Sequence, residues 1–296
     1  MRPFAYWAPA SAGEAIAILA DKGPRARPLA GGTDLLVQLR AGRFEVDVVV
    51  DVKRIPELGA ISYSPEHGLV VGAAVPCAVL CENAAVRRLY PCLVDAAGLI
   101  GSTGIQNRAT LGGNLCNAAP SGDAIPAMIV LDASCMIAGR QGWREAPVAS
   151  FCTGPGRTIL QPGELLLSIR FPPPQAGSGA HYLRFIPRHE MDIAVAGAGA
   201  WVKLSDDRRR IADACIALAA VAPTPLLVKA AGEVLIGQVP NDEAFAEAAR
   251  LAQEAARPIS DVRGTVAHRR HLVGVLVKRA LRGAVQRAEG GSADAC

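Results

Sequence analysis

The residues best placed to do chemistry in this sequence are two short glycine-rich runs. The first is Ala30-Gly31-Gly32-Thr33-Asp34-Leu35, between an expected strand and an expected helix. The second is Thr110-Leu111-Gly112-Gly113-Asn114, followed closely by Pro120-Ser121-Gly122-Asp123. Paired glycines open backbone conformations barred to other residues and let a ligand approach the main chain. Exposed amides in such turns form anion-binding nests, and a helix N-terminus reinforces the first of them. Thr33 and Thr110 add hydroxyl donors. One such run alone reads as a tight turn, because short glycine motifs are weak signals. Two runs, each flanked by hydroxyl and amide side chains, point to a ligand. Together they can hold the two phosphates of one pyrophosphate.

Other chemistries find less support. No Gly-Lys-Ser or Gly-Lys-Thr occurs, so a Walker A loop is excluded. The best dinucleotide fingerprint, Gly197-Ala198-Gly199, has Val202 where the third glycine belongs. The 8 cysteines contain no C-x-x-C pair, and only Cys77 and Cys81 are closely spaced. They read as buried small hydrophobes rather than as a zinc, iron–sulfur or disulfide framework. His268 and His271 share a helix face but lack a nearby carboxylate motif. His67, beside Gly68, reads as a surface residue of a hairpin turn. Arg184, Arg188 and Glu190 surround a strand end before Asp192. They read either as a solvated turn or as a contact to an anion or cofactor. No nucleophile–base constellation is evident, so neither a catalytic residue nor a metal ligand is assigned.

The elements that must position these residues follow from composition and pattern. The chain has 296 residues, of which 51% are hydrophobic and only 4% aromatic, so its core is aliphatic and global disorder is excluded. That length suggests about two domains. The net charge of +4, from 31 basic and 27 acidic residues, does not point to nucleic acid. Arg208-Arg209-Arg210 is offset by Asp206-Asp207, and His268-Arg269-Arg270-His271 reads as the polar start of a helix. No stretch reaches the ~18 apolar residues of a membrane span, and Met1 to Trp7 lacks an apolar signal core. A cytoplasmic protein without membrane insertion is expected.

Ser11-Ala12-Gly13-Glu14 is a capping box that opens a helix ending near Gly23. Strands are expected at 25–30, 46–51, 68–75, 134–138 and 165–171, with helical pattern at 35–41, 79–97 and 125–131. The stretch from Gly98 to Asp123 reads as glycine-rich and irregular. Pro172-Pro173-Pro174-Gln175-Ala176-Gly177-Ser178-Gly179 is the clearest linker. Beyond it come strands at 181–187, 194–204 and 215–221, which favour an antiparallel sheet. Two helices follow, one capped by Asn241-Asp242 and one from Thr265 to about Glu289, before a frayed tail over 290–296.

The two glycine runs resemble the flavin loops of the FAD-binding (medium) subunit in the xanthine dehydrogenase and carbon monoxide dehydrogenase family of molybdenum hydroxylases. The second loop's likeness extends over Thr110 to Asp123, and the resemblance spans the whole chain, including Ala222-Pro223-Thr224-Pro225 and the Arg188 to Ala194 segment. It implies an α+β chain. A vanillyl-alcohol-oxidase (PCMH) type FAD-binding region would occupy residues 1–174, in subdomains of about 1–56 and 57–174. A C-terminal domain with a three-stranded antiparallel sheet and helices would occupy 175–289. The resemblance further implies that the amides of 31–35 and 110–114 hold the pyrophosphate, with Ala30 opening the first loop. Asp123 would bond sugar or ribityl hydroxyls. Ile100 and Leu165 or Leu166 would line the adenine or ring pocket, Arg184 would lie near the flavin, and Ile193 would pack on its ring system.

The sequence departs from the family pattern in places. Ala119 stands where relatives often have Ser, and Met191 where NAD-linked relatives have an acidic residue. Extra cysteines for an iron–sulfur cluster, found in one branch, are not evident. By resemblance, the chain is an oxidoreductase subunit carrying FAD. It would take electrons from two [2Fe-2S] clusters on a small partner subunit and pass them to an external acceptor. A large partner subunit would carry molybdopterin, and the assembly would be a dimer of heterotrimers. The alternatives are a self-contained FAD oxidoreductase and a flavin-free scaffold subunit.

Overall fold

Val48-Val49-Val50-Asp51 is a β-branched run without polar alternation, the pattern of a strand covered on both faces. The structure, a computed structural model describing residues 2–188 and 190–291, buries all four. The chain opens β1 (Ala5–Trp7), α1 (Ala12–Lys22), β2 (Ala26–Leu29), α2 (Leu35–Arg40) and β3 (Val48–Asp51). The three strands form a parallel sheet in the order β1-β3-β2. β2 lies at an edge, where Pro28 and its missing N–H are tolerated. The short exposed strand β1 has no sequence expectation. The capping box forms, with Ser11 Oγ accepting from the Glu14 amide at 3.3 Å. Its return bond shifts one residue upstream, since Glu14 accepts from the Ala10 amide at 3.0 Å.

A second unit begins with β4 (Ile61–Ser64) and β5 (Gly68–Gly72), then runs through helices α3 (Cys77–Glu82), α4 (Ala84–Leu89) and α5 (Pro91–Ala97). The helical pattern expected over 79–97 is thus broken twice. Asn83 ends one helix and caps the next through bonds to the Ala85 and Val86 amides, and Pro91 opens the third at its first position. Next come α6 (Thr103–Gln106), α7 (Leu111–Asn117) and α8 (Ala124–Val130). The stretch expected to be irregular therefore holds two short helices. The reason is a local one. Thr110 caps α7, its hydroxyl accepting from the Gly113 amide at 2.8 Å, and that bond offsets the poor helix propensity of the glycines.

The unit closes with β6 (Ser134–Gly139), β7 (Gly142–Pro147), β8 (Cys152–Gly154), β9 (Arg157–Thr158) and β10 (Leu165–Phe171). Its main sheet is antiparallel in the order β4-β5-β10-β6-β7. β10 sits at the centre. Leu166, Ile169 and Phe171 join the core under α3–α8, while Leu165 and Leu167 join the core beneath α1 and β3. Packing on both faces explains why this strand reads as continuously apolar.

After the proline-rich linker, β11 (Ser178–Phe185), β12 (Ala196–Leu204), β13 (Ile211–Ala219) and β14 (Leu226–Leu227) form an antiparallel sheet in sequential order. The three expected strands are present, and β14 adds a two-residue fourth at the edge. Three helices follow: α9 (Lys229–Glu233), α10 (Asp242–Ala255) and α11 (Val266–Ala288). Asn241 caps α10 and Thr265 caps α11 through bonds to the amides three residues on. One sheet face packs on α10 and α11, while Ala180, Tyr182 and Ala217 on the other join the core of the second unit. The tail beyond Gly291 lies outside the described residues.

An ion pair ties α11 to α5. Arg287 donates to both oxygens of Asp95 at 2.6 and 2.9 Å and to the Ala180 carbonyl at 2.7 Å. Beside it His181 is only 4% exposed, and neither ring nitrogen has a hydrogen-bond partner. Burial lowers its pKa, Asp95 opposes that shift, and Arg287 adds to it. The unfolded chain, with an ordinary histidine near 6.5, therefore takes up a proton that the folded chain resists. Stability from this site is present above about pH 6.5 and declines as pH falls, by at most about 1.4 kcal/mol per pH unit. Urea unfolding at pH 8 and pH 5.5 should show that loss in the wild type and a smaller loss in His181→Gln. Equal losses in the two proteins would contradict the assignment.

Candidate functional site

The first glycine run leaves the carboxyl end of β2, the end of a parallel sheet where ligands gather. A Cβ added at Gly31 would lie 1.9 Å from the Arg108 carbonyl oxygen. The first loop is thus pressed, backbone on backbone, against the residues that lead into Thr110. Gly32 adopts φ +77°, a left-handed conformation. Gly112 is equally constrained, for a Cβ there would lie 2.5 Å from the Ala73 carbonyl oxygen. The helices behind the loops are joined as well, since Gln38 of α2 donates to the Asn117 side chain at 2.9 Å. Two runs distant in sequence are therefore brought side by side, the first packed on the main chain that leads into the second.

The first run is rich in donors. No described residue accepts a hydrogen bond from the amides of Gly31, Gly32, Thr33, Asp34 or Leu35. These groups, with the half-buried Thr33 hydroxyl, match the need of a phosphate for several fixed donors. The second run contributes differently from the expectation that all amides of 110–114 are donors. The Gly113 amide is taken by the Thr110 hydroxyl at 2.8 Å, and the Asn114 amide by the Thr110 carbonyl at 2.9 Å. What this run supplies is the Asn114 side chain, whose Oδ1 has no hydrogen-bond partner, while Gly112 lets α7 pack on Ala73. Leu111 is core.

Asp123 and Arg184, expected as separate cofactor contacts, are the two ends of one buried ion pair. Arg184 Nη1 lies 2.5 Å from Asp123 Oδ2, with side chains 4% and 9% exposed. The Tyr182 hydroxyl donates to the other carboxylate oxygen at 2.8 Å. Burial pushes the Asp123 carboxyl pKa up, while the Arg184 charge and the two hydrogen bonds pull it back. Tyr182 is missing from the sequence expectations, although residues i and i+2 of a strand share a face and Arg184 was a candidate. The pair joins the second motif to the C-terminal sheet. A second tie runs from the Ala220 amide to the Pro120 carbonyl at 2.7 Å.

The apolar candidates are scattered. Leu165 and Leu166 are 4% and 2% exposed and pack into separate cores. Ile100 is half-buried against the second unit's core. Ile193 is 48% exposed in the turn before β12. Two surface hollows of about 440 and 470 Å³ flank α1, and no glycine-loop residue lines either. Among the described residues, no group of three or more His, Cys, Asp or Glu is placed to hold a metal ion. No described helix is long and apolar enough to cross a membrane.

Comparison with known proteins identifies the family. Residues 2–174 match the family described as the FAD binding domain in molybdopterin dehydrogenase. Residues 181–284 match the carbon monoxide dehydrogenase flavoprotein C-terminal domain. The xanthine dehydrogenase FAD-binding subunit of Escherichia coli O157:H7 is 32% identical over 286 residues, covering 96% of this chain and 97% of that one. The carbon monoxide dehydrogenase medium chain of Hydrogenophaga pseudoflava is 33% identical over 283 residues, covering 95% and 96%. A solved structure of that organism's carbon monoxide dehydrogenase, lacking the Mo-pyranopterin moiety of the molybdenum cofactor, superposes with a TM-score of 0.92. It is 34% identical and covers 97% of this chain and 99% of that chain.

Proposed function

Because the chain belongs to the family of FAD-binding subunits of xanthine and carbon monoxide dehydrogenase-type molybdenum hydroxylases, we propose that it is the electron-transfer subunit of such an assembly. It takes electrons from [2Fe-2S] clusters on a small partner and delivers them to an external acceptor. A large partner carries molybdopterin and oxidises the organic substrate. The assembly is a dimer of such heterotrimers and works in the cytoplasm. Residues 1–174 act as the FAD-binding domain, in parts of about 1–56 and 57–174, and residues 175–289 as the second domain.

The observation that carries this reading is the first glycine loop, packed at Gly31 on the main chain that leads into the second run. Its free amides at 31–35 and the unpartnered Asn114 Oδ1 fit a pyrophosphate and the sugar hydroxyls beside it. FAD, when bound, supplies one- and two-electron redox chemistry, and the protein supplies position and electrostatics. The amides of 31–35 would hold the phosphates, and the Thr33 hydroxyl would add a donor. The Asp123–Arg184 pair holds the second motif against the C-terminal sheet, which keeps Asn114 and Gly112 in place. Ile193, exposed before β12, offers an apolar face for a ring system.

The composition of the native assembly tests this function. A tagged copy of this chain, purified from its own cells, is expected to bring down a small iron–sulfur chain and a large molybdopterin chain together with FAD. FAD without partners would favour a self-contained oxidoreductase. Partners without FAD would favour a scaffold.

A further inference from the structure

Arg269, in the first turn of α11, is 4% exposed and occupies the centre of an unusual set of bonds. Its Nη2 donates to both carboxylate oxygens of Asp261, at 2.7 and 2.8 Å. Its Nη1 donates to two main-chain carbonyls, Val195 at 2.8 Å and Ala220 at 3.0 Å. Asp261 is itself fixed by the Arg263 and Gly264 amides at 2.9 and 3.2 Å. One planar cation therefore holds the residue before β12 and the residue after β13 in a single register. A lysine has no planar fork with which to reproduce this.

Both carbonyls lead to the same place. Ala220 adopts φ 65°, and its amide donates to the Pro120 carbonyl at 2.7 Å. The Val195 amide donates to the Phe185 carbonyl at 2.9 Å, and the preceding residue, Arg184, grips Asp123. The two routes end at Pro120 and Asp123, the first and last residues of Pro120-Ser121-Gly122-Asp123. Between them Gly122 packs so closely on Asn114 that a Cβ would lie 3.0 Å from its Oδ1. We propose that Arg269 is a positioning residue for the cofactor loop. By fixing Val195 and Ala220 it sets both ends of the 120–123 segment, and through that segment the placement of Asn114. The inference rests on the reading of the glycine surface as the FAD site.

The test compares Arg269→Lys and the milder Asp261→Asn with wild type in the full-length chain. Three quantities are read: the FAD dissociation constant by flavin fluorescence, the melting temperature of the apoprotein, and hydrogen exchange at the Ala220 amide. The control is Leu276→Val or Leu276→Ala, whichever core change of α11 matches the loss in melting temperature. Arg269→Lys should weaken FAD binding about tenfold and speed exchange at Ala220, with Asp261→Asn showing the same pattern more weakly. The matched core variant should do neither. FAD affinity unchanged in Arg269→Lys, or weakened equally in the core variant, would overturn the proposal. A wild-type chain that takes up no FAD would instead overturn the function reading, and exchange at Ala220 would still decide whether Arg269 sets that segment.

Discussion

A chain carrying Gly31→Val and Gly112→Val is expected to fold and to purify without stoichiometric flavin. Each new side chain meets main chain rather than a flexible tip, at Arg108 for residue 31 and at Ala73 for residue 112. Main chain cannot rotate away, so one loop must move. Overpacking of this kind costs about 1–3 kcal/mol per site. Strain is relieved by lifting the loop, which also moves the amides of 31–35. Two such displacements correspond to a loss of affinity on the order of a hundredfold or more. Released flavin per chain, quantified after denaturation, reads the effect. Gly13→Ala is the matched control, because a Cβ there meets nothing within 4 Å. Stoichiometric flavin in the double valine variant would remove the loops from the site.

The second large effect is expected at Asp123. Asp123→Ala leaves the Arg184 guanidinium buried without its counter-ion and the Tyr182 hydroxyl without its acceptor. Breaking a buried pair from one side costs about 3–5 kcal/mol. For a chain of this size that is a fall in melting temperature on the order of 10 °C. The double change Asp123→Leu with Arg184→Met removes both charges, and much of the lost stability should return. Flavin affinity should not return with it, because the hydrophobic pair no longer sets the 120–123 segment through directional bonds. Thermal melts of apoprotein, followed by FAD titration, separate the two quantities. A single alanine change that melts with the wild type would show that the pair contributes little.

These particulars also show what could be read from the sequence. Local chemistry was legible. Ser11, Asn241 and Thr265 mark helix starts through bonds three residues long, and the linker read over 172–179 announces itself by composition, although β11 already begins at Ser178. The two glycine runs were legible as points of close main-chain approach, because such approach needs glycine wherever it occurs. Non-local pairing was not legible. Nothing near Asp123 says that its partner lies 61 residues away on β11. Arg269 sits in a run that looks like a solvated helix start, and only the fold buries it. The exposed strand β1 and the short hairpin strands β8 and β9 carry too few residues for a pattern. Thr110 reads from the sequence as a ligand donor, and its hydroxyl oxygen also accepts from the Gly113 amide to cap α7, a second role that the sequence alone does not assign.

The measurement that tests the central claim most directly is the flavin released per wild-type chain, identified by mass spectrometry. One FAD per chain is the result expected from the first glycine loop and its free amides at 31–35. A native chain that carries no FAD, and binds none when the apoprotein is titrated, would contradict it.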